Sequence, residues 1–249
     1  SHYAKKEYKM GTLKSSSPFM ALYKKELRRL SSCTIYALNS CIGIVLLFVA
    51  ALVAVFFMPP ALRQQIETMG IMSIIQTIMP IALAFFVAMT STTAASLSLE
   101  GKNRWIMCSA PTQARTVYNS KIAVNLTVIL PVLYVSAIFI RIAIPCSLMQ
   151  TVLLFIIPTV YAFFISVLGI YLNIKFPKYD WTSEYYAVKG GAISVLATVG
   201  VGMASSLTPL YLCIIFPHYQ MMVMFGITCL ILLATLAIYL KVCRTQLYV

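Results

Sequence analysis

Six apolar stretches, each long enough to cross the hydrocarbon core of a bilayer as a helix of about 20 residues, take up most of this chain. They run at about 34–58, 71–97, 121–144, 148–174, 191–216 and 220–240. Hydrocarbon offers no water to backbone N–H and C=O groups, so such stretches read as helices that satisfy their own backbone. Composition agrees. Hydrophobic residues make up 61% of the chain and charged residues 10%, with a mean hydropathy of +0.89, whereas a soluble domain carries about 25% charged residues. The expectation is an all-α membrane protein with six transmembrane helices over residues 32–240. Within 249 residues that leaves no room for a soluble catalytic domain of ordinary size.

The net charge of +13 raises nucleic acid as a partner, but the distribution of the basic residues argues against it. They are confined to the connections between apolar stretches. Lys and Arg are retained on the cytoplasmic side of membrane proteins. Counting alternate connections, one side holds seventeen Lys and Arg and the other only Arg63 and Arg141. This places both termini in the cytoplasm of a multi-pass protein of the cytoplasmic membrane, with anionic lipid headgroups as the nearest counter-charge.

The opening thirty residues are polar and basic and do not read as a cleavable signal peptide. Residues 1–17 read as an arm or linker. Residues 18–31 read as an amphipathic helix lying along the membrane surface: Phe19, Met20, Leu22, Tyr23, Leu27 and Leu30 share one arc, and Lys24, Lys25, Arg28 and Arg29 the other. Glu26 falls inside the apolar arc and needs a partner there. Two partners are open to it, Arg29 on the same helix or a basic residue of the next cytoplasmic loop. Residues 61–70 read as a polar loop, and 241–249 as a cytoplasmic tail. Pro80 and Pro131 lie inside the second and third stretches, and a bend is expected at Pro80. Pro209 leaves open a broken or re-entrant segment around 207–220.

Groups able to do chemistry are scarce. No Asp, Glu, His or Lys sits in the middle of a stretch, which argues against proton relays and ion coupling. No HExxH, no serine–base pairing and no GxxxxGK[ST] occurs, so the chain reads as no enzyme and has no ATP site of its own. The seven cysteines show no metal-ligand spacing and read as packing residues, so neither metal nor cofactor is expected. Gly200 and Ala204 form a small-xxx-small pair suited to close helix contact, or to lining a moving path. The distinctive residues lie in two basic loops. In the first, Glu100-Gly101-Lys102 leads through a glycine joint into a short helical stretch, 103–109, with Trp105, closed by Pro111. Trp105 reads as an interfacial anchor or as a docking contact. The second carries Pro177, Asp180, Trp181, Glu184 and Lys189, and its plainest reading is a solvated turn.

At these loops the sequence resembles the permease subunits of ABC-2-type exporters, in a Gram-positive bacterial branch. Lys25-Glu26 and Ser98-Leu99-Glu100-Gly101-Lys102 carry the likeness, with Trp105, Ser109, Pro111 and Lys121 after them. Pro177, Asp180-Trp181, Glu184 and Val188-Lys189 continue it in the second loop. The likeness covers roughly residues 17–245. It implies an amphipathic connecting helix that includes Glu26, Arg28 and Arg29, six spans, and a coupling helix between spans 2 and 3. It also implies a cytoplasmic ABC ATPase subunit contacting 100–111 and a second permease unit or half. Members of that branch are often about twice this length, so the chain is expected to be a half-size relative or a C-terminal half. The expected function is export of a lipid-like, peptide or drug-like substrate driven by the separate ATPase. The alternatives are a carrier not driven by ATP and a membrane-embedded assembly protein.

Overall fold

A computed structural model describes residues 16–109, 111–188 and 193–247. The expected arm, apart from its last two residues, lies outside the described residues, as do Lys189 and the Gly190–Gly191 step. The regular elements among the described residues are all helices. Six of these are long and apolar enough to cross a membrane, as a multi-pass membrane protein requires.

The chain enters through α1 (Pro18–Ser32). Ser17 caps it by accepting a hydrogen bond from the Met20 N–H at 3.3 Å, and Pro18 occupies the first turn, where its missing N–H loses nothing. Cys33 adopts an extended conformation and turns the chain directly into the first span, α2 (Thr34–Phe56). The connection after α2 is a further helix, α3 (Pro60–Thr68), rather than the loop expected there.

Span 2 departs most from expectation. Its first part, α4 (Met72–Ala88), runs unbroken through Pro80. The interruption comes later, at residues 89–92, before the single turn α5 (Thr93–Ser96). An interrupted backbone survives at this depth only when protein groups satisfy it. Two asparagines from neighbouring spans do so. Asn125 accepts from the Thr92 N–H at 2.8 Å, and Asn173 from the Leu97 and Ser98 N–H groups at 2.8 and 3.1 Å. A carbonyl of α2, that of Ser40, takes the Ser91 N–H at 3.1 Å.

A 3-10 turn (Ser98–Asn103) and a short helix, α6 (Arg104–Ser109), follow. Span 3 is α7 (Ala114–Ala143), which begins seven residues before the apolar stretch. Span 4 is α8 (Leu148–Lys175). It starts with a reciprocal cap: Ser147 Oγ accepts from the Gln150 N–H, and Gln150 returns a bond to the Ser147 N–H. The second basic loop contains α9 (Glu184–Val188). Spans 5 and 6 are α10 (Ile193–Ile215) and α11 (Gln220–Arg244). α10 continues through Pro209 without a break, and α11 includes Lys241 and Arg244 of the expected tail in its last turn.

α8 is the central post, packed against α4, α7, α10 and α11. Its Leu153, Leu154, Ile157, Tyr161 and Ile165 meet Leu47 of α2, Leu83 and Val87 of α4, and Ile129 and Leu133 of α7 in one core. Close approach depends on glycine at particular points. A Cβ at Gly43 would lie 2.2 Å from the Phe86 carbonyl oxygen, and one at Gly169 2.3 Å from Thr93 Oγ1. On α10 the buried face is Ser194, Thr198, Gly202, Ser206 and Pro209. Within this chain the expected pair makes no close helix contact: Gly200 faces open space and Ala204 is exposed, while Gly202 packs against Ile165 and Ala88.

Candidate functional site

The end of the bundle that carries most of the basic residues also gathers the two loops and α1 into one assembly. At its centre is Lys121, 2% exposed, two turns into α7. Its ammonium has three donors, and each finds an acceptor: Glu26 Oε1 at 2.7 Å, Ser96 O at 3.1 Å and Glu100 Oε1 at 3.2 Å. Glu100 also receives Arg29, from Nη1 to Oε1 and from Nη2 to Oε2, both at 3.0 Å, and Lys25 at 2.8 Å. Arg29 reaches Glu26 as well, at 3.4 Å. Both partners open to Glu26 are thus present, and the tertiary one, Lys121, is the shorter. Two carboxylates and three cations tie α1, the turn after span 2 and span 3 together.

Glu100 lies in the connection outside the spans. Burial by itself raises a carboxyl's pKa, but Lys121, then Arg29 and Lys25, outweigh it and hold the group well below the usual carboxylate range. Truncating one member of such a buried group costs about 3–5 kcal/mol, because a charge is stranded.

Immediately beyond Glu100 the backbone reverses at Gly101, whose φ of +52° a side chain rarely adopts. Trp181 of the second loop covers this glycine. An added Cβ would lie 2.9 Å from Trp181 Cζ2, and Trp181 Nε1 donates to Ser98 O at 2.8 Å. The Lys178 N–H donates to Ser98 Oγ at 3.0 Å. The second loop is therefore a clamp on the first rather than a free solvated turn. Its α9 buries Ala187 and Val188 beside Leu30, Cys33 and Tyr36. The Cys33 thiol donates to Glu184 at 2.7 Å.

Held this way, α6 turns Met107 inward and leaves Trp105 and Ile106 outward, 56% and 55% exposed. Arg104 stacks over the Tyr179 ring at 4.2 Å. Of the other residues singled out, Arg28, Lys102, Pro111 and Asp180 are exposed. Pro177 is exposed too and lines a cavity of about 210 Å3 together with Arg104, Tyr118 and Tyr179.

The residues that sequence reasoning missed are Lys121 and Lys25 as cluster members, and Asn125 and Asn173 as backbone acceptors. An asparagine inside an apolar stretch was the available signal for the last two. Among the described residues no group of His, Cys, Asp and Glu could hold a metal ion. The thiol of Cys33 beside Glu184 is pushed up in pKa by burial and by that carboxylate, which disfavours the thiolate a nucleophile needs. The arrangement is a rigid junction with an exposed apolar tip. No family model, no curated protein and no solved structure matches this chain.

Proposed function

We propose that the chain is the membrane-spanning permease subunit of an ATP-driven, ABC-2-type exporter. α6 serves as the coupling helix and receives a separate ATPase subunit in the cytoplasm. α1 is an interfacial connecting helix, both termini face the cytoplasm, and a second permease unit or half completes the transporter. The cargo is lipid-like, peptide or drug-like.

One observation carries this reading. Trp105 and Ile106 are held outward on a short helix whose base is fixed by buried ion pairs and by Trp181. Large side chains on a pre-organised support are what a partner's pocket anchors upon. Movement imposed at α6 would pass through Glu100 to α1 and α7 in a single step. The lack of a P-loop in the chain supports an energy source on another subunit.

The test uses purified permease and the ATPase subunit that co-purifies with it, reconstituted in vesicles. Trp105→Ala removes an anchor that the partner's pocket would bury, so the ATPase should bind about 30-fold more weakly, and transport should fall while residual ATP hydrolysis persists. Full transport by Trp105→Ala and by Glu100→Gln would rule out α6 as the coupling element.

A further inference from the structure

A groove of about 430 Å3 lies between α7, α8 and α11, and no residue of the ion cluster lines it. Ile122, Leu126, Phe163, Val167, Leu232 and Leu236 wall it, and Phe19 of α1 contributes to its lining. Asn119 to Leu126 spans about 10 Å along α7, so the groove follows the helices for some distance. Its far part is apolar. Its near part, toward the basic end, is polar: the Tyr239 hydroxyl donates to Asn119 Oδ1 at 3.1 Å. One turn before Asn119, the exposed guanidinium of Arg115 reaches the same hydroxyl.

Arg115 makes no ion pair among the described residues, whose buried acids Glu26 and Glu100 are held in the cluster. None of the described acids lines the groove. The site is therefore an apolar trough inside the membrane-spanning part, with one uncompensated cation at its mouth. A wholly apolar helix docked there would leave that cation unmatched. An acyl chain with a phosphodiester at its end matches both halves at once.

We infer that this groove binds an anionic phospholipid of the leaflet at the basic end, with the acyl chain against Leu126 and Leu236 and the headgroup at Arg115. The site needs no ATPase, so it stands or falls separately from the transporter reading. The molecule also supplies its own control. A second groove, of about 470 Å3, is lined by apolar residues only, among them Ile44, Phe48, Pro131 and Val135. It has no cation to choose between headgroups.

The full chain is reconstituted in phosphatidylcholine vesicles with a trace of either phosphatidylglycerol or phosphatidylcholine bearing a photoreactive acyl chain. After illumination, labelled peptides are quantified by mass spectrometry. The α11 peptide with Leu232 and Leu236 should be labelled about fivefold more by the anionic probe, and the α2 peptide with Phe48 equally by both. Arg115→Gln should bring the α11 ratio to one and leave α2 unchanged, and Arg115→Lys should keep it. Leu236→Trp should fill the groove and reduce α11 labelling by both probes. An α11 ratio of one in the unaltered chain would overturn the assignment. So would a ratio indifferent to Arg115→Gln, or a second copy of the chain cross-linked in the groove. Should Arg115→Gln lower labelling in both grooves, the decision falls to Arg115→Lys, for which a ratio of one also overturns it.

Discussion

Lys121 is the residue on which the basic end is organised. Its three donors bridge a helix before the first span, a turn after the second and the start of the third. Lys121→Met should lower stability by about 3–5 kcal/mol, read as a lower unfolding temperature in detergent. Glu26→Gln combined with Lys121→Met should lose less than the two single changes added, because neither leaves the other's charge stranded. Glu100 adds a pH dependence. Its folded carboxyl binds a proton less readily than the unfolded one. Its contribution is therefore complete above about pH 4.3 and fades only as pH falls further, toward the lowered folded value. Glu100→Gln should abolish that acid-side loss in a pH series of unfolding temperatures.

Glu26 was legible as a buried carboxylate because it interrupts an apolar arc. Its partner was not, since nothing local separates Lys121 from a loop lysine that faces solvent. Counting charges span by span also missed the cluster, which is assembled from three elements and belongs to none of them. Gly101 was legible as a joint, but the indole that covers it comes from 80 residues later. In a Trp105→Phe background Trp181 is the only tryptophan. There Gly101→Ala should strain the backbone by about 1–3 kcal/mol and shift Trp181 emission to the red.

At the level of elements, the interrupted second span shows how polar side chains replace helix geometry. Proline is the usual signal for a bend, and Pro80 pointed to one place while the helix ends nine residues later, at Met89. α4 stays helical through Pro80, which is buried among its neighbours. Residues 89–92 leave the helix where Asn125 and the Ser40 carbonyl take the Thr92 and Ser91 N–H groups, and the chain leaves α5 where Asn173 takes those of Leu97 and Ser98. Each N–H stranded by removing such an acceptor costs about 1–3 kcal/mol. Asn173→Ala should thus speed amide hydrogen exchange at Leu97 and Ser98 and release Lys178 through Ser98, while exchange in α11 stays unchanged. On α10 the small residues were visible but their face was not. Glycines at 200 and 202 point to different sides of the helix, and only the packing partner, Ile165, decides which is buried.

For the whole molecule, six spans were readable from hydropathy alone, because length and apolarity are what the bilayer demands. The order of packing was not readable. α8 occupies the centre through contacts with four other spans, and its mean hydropathy falls within the range of the others. Gly169→Leu should therefore disturb the whole bundle, since the new side chain meets Thr93 and Ser91 across the closest approach. The expected result is loss of folded protein in detergent, whereas Gly200→Leu, facing open space, should leave the yield intact. Toward a function the sequence offers only the absence of mid-span ionisable groups and the concentration of unusual residues at one end.

The central claim is that this end presents α6 to a driving ATPase. A photoreactive amino acid at position 105, with a matched control at Leu148 on the opposite end, tests it directly in membranes of the cells that make the protein. Illumination should join position 105 to a P-loop ATPase, changing with added nucleotide, and should join position 148 to none. An absence of any ATPase adduct at 105, or equal adducts at both positions, would contradict the account.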